Sequence, residues 1–276
     1  MCTTRGWHGG TRKWHGAVWQ RQAGSAAVRY AARMATATDV MTALDEVASV
    51  DDAESTQRFF KTGQGQYGQG DVFIGVRVPQ ARGVAKAFGG LPLAEIDEML
   101  DSRVHEYRLT GLILLNAEFE RASAPRTRDD DERERIAAFY LAAVRRGRVN
   151  NWDLVDTSAE YVLGEYLFDR PRFILFELAE SDNLWWRRVA VLSTFAFIKR
   201  GDASTTLELA ALLLNDREDL MHKAVGWMLR EVGKRVDRSL LVGFLDEHAA
   251  EMPRTMLSYA TEHLEPDARA AYRARR

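Results

Sequence analysis

Residues 185–199 would be apolar on nearly every side of a helix. At about 100° per residue, Val189, Val191, Leu192, Phe195, Phe197 and Ile198 leave little polar face. Such a helix is stable in water only if other layers cover it on both sides. Around it, helical signals recur with short polar connections. The patterning predicts helices over 41–61, 79–88, 92–101, 103–121, 129–147, 151–167, 170–180, 183–200, 203–215, 217–235, 237–249, 252–263 and 265–275. Asp182 and Asp202 sit where a side-chain oxygen can cap the helices that follow. No segment alternates with period two for long enough to make a sheet. Residues 71–79 are β-rich in composition, but the stretch is short and ends at Pro79.

Helix pairs at 129–167, 170–200, 203–235 and 237–263 repeat every roughly 30 to 38 residues, the period of α-solenoids. The expected fold is therefore all-α, a HEAT-like helical-repeat solenoid: a curved stack of antiparallel helix pairs whose hollow suits an elongated ligand. With 6 Pro and 20 Gly the chain is poor in turn residues, and its single Cys excludes an internal disulfide framework or a cysteine zinc site. No apolar run reaches the ~18 residues of a membrane span, so a cytoplasmic protein with no membrane partner is expected.

Residues 1–40 differ from the rest. They hold Trp7, Trp14, Trp19 and six basic residues against one acid, Asp39, and lack periodic patterning. They read as a disordered basic extension before a folded domain over 41–276. Without them, 32 Lys+Arg face 39 Asp+Glu, so the body carries a charge near −7 against −2 for the whole chain. Net charge does not announce a nucleic-acid binder, and that case must rest on local patches.

Three segments carry candidate chemistry. In 217–235, Met221, Ala224, Val225, Met228 and Val232 form the core stripe, and Lys223, Trp227, Arg230 and Lys234 fall well away from it. The functional alternative is an aromatic plate in a cationic groove, suited to sugar or base contact beside phosphates. The structural one is a Trp covered by the next layer. In 150–156, Trp152 and Asp156 share one helix face at i and i+4, and Asp156 lies at the edge of an apolar stripe. A carboxylate there must be paired, capped or used. Asp153 and Glu160 look like solvated flank acids. In 181–190, Arg187 and Arg188 open an apolar helix, and Arg188 can pair with Asp156. The basic run ending at Arg148 is either a solvated helix end or a phosphate contact. The six His show no metal-ligand spacing and read as lone surface residues, and no cofactor fingerprint is present. The glycines of 63–70 lack the Lys-Ser/Thr pair of a phosphate loop and read as a flexible interhelical loop.

Taken in order, Trp152-Asp153-Leu154-Val155-Asp156, then Ser181-Asp182-Asn183-Leu184-Trp185-Trp186-Arg187-Arg188-Val189-Ala190, then Lys223-Ala224-Val225-Gly226-Trp227-Met228-Leu229-Arg230-Glu231 resemble the AlkD-type DNA alkylation repair glycosylases. Phe73-Ile74-Gly75-Val76-Arg77-Val78-Pro79 resembles that family's N-terminal part, and the likeness covers roughly residues 55 to 265. The resemblance implies Asp156 as the catalytic carboxylate, Trp152 and Trp227 as the site aromatics, Arg188 as the site arginine and Arg230 as a DNA-backbone contact. Lys223, Lys234, Arg187 and Arg148 are further expected DNA contacts. A tyrosine common in the family at the cleft's N-terminal end is replaced here by Phe59 or Phe60. The implied activity is hydrolysis of the glycosidic bond of N3- or N7-alkylated purines in duplex DNA by a monomer without cofactor or metal. The rivals are a noncatalytic helical-repeat protein that binds DNA structure and a protein–protein adaptor.

Overall fold

The computed structural model describes residues 35–275. They fold into helices: α1 (Ala37–Asp45), α2 (Val50–Phe59), α3 (Val78–Ala87), α4 (Leu93–Leu100), α5 (His105–Ser123), α6 (Asp130–Arg145), α7 (Trp152–Ser158), α8 (Glu165–Leu167), α9 (Phe173–Ala179), α10 (Leu184–Ser193), α11 (Phe195–Ile198), α12 (Ser204–Leu212), α13 (Asp219–Arg235), α14 (Arg238–His248), α15 (Arg254–Ala260) and α16 (Pro266–Ala274). The fold is the expected all-α helical-repeat stack.

The repeat period has a spatial consequence. The second helix of each pair packs on the second helix of the next. α5 contacts α7, α7 contacts α10, α10 contacts α13 and α13 contacts α15. Their partners α4, α6, α9, α12 and α14 form the other layer. The inner position of α10 explains its composition: Trp185 and Arg188–Ser193 are all buried, as are Ala196, Phe197 and Ile198 of α11. The stretch 185–199 is covered on both sides, as its apolar circumference demands, although Thr194 divides it into two helices.

The expected helix over 41–61 is two helices separated by a turn. Thr36 caps the first in a capping box with Asp39, and Ala37 and Val40 are fully buried. The folded body thus begins ahead of the boundary expected at 41. The basic extension lies outside the described residues except for its last few. The β-rich segment 71–79 makes a single isolated bridge, Val72 to Val104, and its Ile74, Gly75 and Val76 amides turn to the buried Glu106 carboxylate. The cap before α10 is Asn183 rather than Asp182, whereas Asp202 does accept from the Ser204 amide. Among the described residues, no helix is long and apolar enough to cross a membrane.

Two inner-row crossings are too close for a side chain. A Cβ on Gly164, in the π-helical turn Glu160–Gly164 that follows α7, would lie 2.3 Å from the Ser193 carbonyl oxygen. One on Gly226 would lie 2.5 Å from that of Met256. Replacing Gly226 by Ala should therefore destabilise the protein by about 1–3 kcal/mol in urea unfolding through overpacking. Gly243→Ala on α14, where a Cβ meets nothing within 4 Å, should instead be stabilising by up to about 1 kcal/mol.

Candidate active site

Asn183, with an extended backbone, accepts the amides of Trp185 and Trp186 at 2.9 and 3.4 Å and sets where α10 begins. Arg188 follows one turn later and reaches across the row to α7. Its Nε donates to Asp156 Oδ1 and its Nη2 to Oδ2, both at 2.9 Å. Its Nη1 donates to the Leu220 carbonyl of α13 at 2.6 Å. One guanidinium therefore joins α7, α10 and α13. The Arg188 side chain is 5% exposed and that of Asp156 20%, so the carboxylate keeps an open side. Burial raises the Asp156 carboxyl above its ordinary value and Arg188 opposes that shift, while the nearby Asp153 adds to it.

The aromatic residues are placed by the same elements. Asn151 caps α7 and accepts the Trp152 amide at 2.8 Å. The Trp152 indole stacks on Phe60, with centroids 5.2 Å apart and planes 12° apart, and Phe59 meets it edge-on at 5.8 Å. Trp227, on α13, rests against Phe195 at 5.8 Å. All four expected site residues, Trp152, Asp156, Arg188 and Trp227, line one cleft of about 800 Å³. Lys223 and Tyr259 share its walls. The cleft holds a carboxylate fixed by a guanidinium and flanked by two half-buried indoles, which can receive a ring bearing positive charge.

A family model described as "DNA alkylation repair enzyme" matches residues 40–264. The chain belongs to the DNA alkylation repair enzyme family. A solved structure entitled "Predicted DNA alkylation repair enzyme from Enterococcus faecalis" superposes with a TM-score of 0.61 at 16% identity, covering 79% of this chain and 97% of that one. The likeness at that identity concerns the fold. A comparison with curated proteins gives no match.

Not every residue expected to touch DNA in this family member reaches the cleft. Arg187 turns away and is held by Asp216, with Nε 2.6 Å from the carboxylate, and by the Ser181 carbonyl. Arg230 is paired with Glu262 and Glu231, and Arg148 lies 2.7 Å from Asp101. Lys234 is exposed but does not line the cleft. Lys223 lines it while paired with Asp219 at 2.7 Å. Two of the three cations expected around Trp227 are thus paired with acids, Lys223 with Asp219 and Arg230 with Glu231 of the same helix, and Arg230 also with Glu262 of a neighbouring segment. Asp153 and Glu160 are likewise not solvated flank acids: Asp153 bonds His105 and Glu160 pairs with Lys199.

His105 is the clearest departure from expectation. Rather than a surface residue, it is 1% exposed beneath Phe60 and Phe73. Its Nε2 bonds Asp153 Oδ2 at 2.6 Å, and its Nδ1 lies 3.5 Å from Asp71 Oδ2. Asp71 also accepts from Arg108 at 2.6 Å and from Asn151, the cap of α7, at 3.3 Å. Burial alone would lower the imidazole pKa; the Asp153 and Asp71 carboxylates outweigh it and push it up to about 9. The only sequence signal was that His105 opens a helix beside Glu106, and that does not identify its partners.

The folded protein therefore holds a proton on His105 that the unfolded chain releases near pH 6.5. The stabilisation is complete below about 6.5 and is lost as pH rises towards about 9. The thermal midpoint should fall across that window, and His105→Gln should lack this fall while starting from a lower midpoint. A wild-type midpoint that is flat from pH 6.5 to 9 would remove the buried imidazolium from the account.

Proposed function

We infer that the protein is a DNA glycosylase that releases cationic N3- or N7-alkylated purines from duplex DNA. The observation that carries this reading is the Asp156 carboxylate, fixed by Arg188 between Trp152 and Trp227 in one cleft. Membership of the alkylation repair family supports the substrate class. An alkylated purine carries its positive charge on the base, so breaking the C1′–N bond sends the electron pair to the base, which departs neutral. Protonation of the leaving group is then unnecessary. Positive charge grows on the deoxyribose, and water adds to C1′ and loses a proton, leaving an abasic site.

Asp156 supplies a fixed negative charge beside that developing cation and a lone pair that orients the attacking water. Burial strengthens this interaction because little solvent screens it. The indoles of Trp152 and Trp227 pack on the sugar and keep water from surrounding it. Arg188 is a positioning residue here: it favours the ionised form of the carboxyl group and fixes its plane. The resemblance to AlkD-type glycosylases supports a mode in which the backbone around the lesion is bound and the base stays outside a closed pocket.

The bidentate pair also favours a second reading, a noncatalytic DNA-binding protein in which Asp156 serves only to hold Arg188. Base release separates the two. With duplex carrying 7-methylguanine, wild type should release the base, and Asp156→Asn should be slower by on the order of 10²–10³ with little change in duplex affinity. Unchanged release by Asp156→Asn would remove the carboxylate from the mechanism, and no release by wild type would favour the binder.

A further inference from the structure

The glycine-rich segment 63–70 is a wall of the cleft rather than a loose connection. Both of its flanks are tied to α7. On the N-terminal side Phe60 stacks on Trp152. On the C-terminal side Asp71 bonds Asn151, the cap of the same helix, and joins the buried His105–Asp153 cluster. Internally the segment is bonded to itself. The Gly68 amide donates to the Lys61 carbonyl at 2.8 Å, and the Gly63 and Gly65 amides donate to the Gln66 and Gln69 side chains at 2.9 and 2.7 Å. Tyr67 is half-buried with its ring edge-on to Trp185, centroids 5.7 Å apart.

Lys61, Gly65, Gln66 and Tyr67 all line the cleft, whose other residues include Asp156, Trp227 and Lys223. Charge distinguishes Lys61. Of the three cations in the lining, Arg188 is paired with Asp156 and Lys223 with Asp219. Lys61 makes no ion pair among the described residues and is exposed. The Tyr67 hydroxyl likewise makes no hydrogen bond among them. A free ammonium and a free phenol are thus held on one built wall, facing a cleft whose other charged side chains are the two paired cations and the carboxylates of Asp156, Asp219 and Glu218.

We propose that Lys61 and Tyr67 form a phosphate-binding subsite for the DNA backbone, carried by the glycine-rich wall of the catalytic cleft. The ammonium neutralises one phosphate and releases its condensed counterion, and the phenol donates a hydrogen bond to a phosphate oxygen. This subsite rests on the glycosylase reading for its occupant, and it adds a contact that Arg187, Arg230 and Arg148, all held by carboxylates, are poorly placed to supply.

The test measures binding of a fluorescein-labelled plain duplex by anisotropy across a salt series, together with base release from the 7-methylguanine duplex. The proteins compared are wild type, Lys61→Gln, Lys61→Arg, Tyr67→Phe and, as a control on the exposed face of α3, Lys86→Gln. Lys61→Gln should make the slope of log affinity against log salt shallower by roughly one and raise KM with kcat little changed. Lys61→Arg should restore the slope. Tyr67→Phe should bind several-fold more weakly at an unchanged slope, and Lys86→Gln should match wild type. Equal thermal midpoints for the variants establish that the differences are not unfolding.

Wild-type slope and affinity in Lys61→Gln and Tyr67→Phe would overturn the subsite while leaving the glycosylase reading in place if wild type still releases base. The expected salt effects without base release by wild type would uphold the subsite and overturn the catalytic reading. A wild type that does not bind duplex would overturn both.

Discussion

The bidentate Arg188–Asp156 pair is the contact on which the site depends. It spans two consecutive inner helices and, through the Leu220 carbonyl, reaches a third. Burying either charge alone would be strongly unfavourable, and removing one partner of such a pair typically costs about 3–5 kcal/mol. The stack therefore cannot slide one helix past another without leaving a buried charge exposed to apolar neighbours. In the same pair the guanidinium favours the ionised carboxylate where burial disfavours the charge. Structure and chemistry are linked at this point: what locks α7 to α10 also presents a fixed anion to the cleft.

A second buried ion cluster supports the first. His105 lies below the Phe60–Trp152 stack and holds Asp153, three residues before Asp156 on the same helix. Asp71 ties that cluster to Arg108 and to the cap of α7. The N-terminal turn of α7 is thus fixed by charge and by aromatic stacking, and its Trp152 ring has little freedom to turn. A site built on helices held this way presents its groups in a nearly constant geometry, as the proposed stabilisation of a short-lived cation would require.

Much of this was legible in the residues and some was not. The stack followed from one helix apolar on every side and from the repeat of helix pairs, because packing periodicity is a local signal. Trp152, Asp156, Arg188 and Trp227 could be singled out from their wheel positions and from the family resemblance, and the structure brings them into one cleft. The ion pairs of the surface cations were not legible, for the complementary reason. Whether Arg187 meets a phosphate or Asp216 depends on a loop in another repeat, and a helix wheel carries no such information. His105 and Asp153 failed in the same way, since their pairing joins residues 48 apart. The glycine-rich segment looked loose because its order comes from Gln66 and Gln69 bonding its own amides and from anchors outside it.

The central claim is that Asp156 is a desolvated carboxyl group whose ionised form is favoured by Arg188 against its burial. Carbonyl-carbon NMR titration of Asp156 in wild type and in Arg188→Met tests it most directly. The account predicts a wild-type midpoint above the ordinary 3.8 and a further upward move when the guanidinium is removed. An ordinary midpoint that is the same in both proteins would place the acid in bulk water and contradict the account.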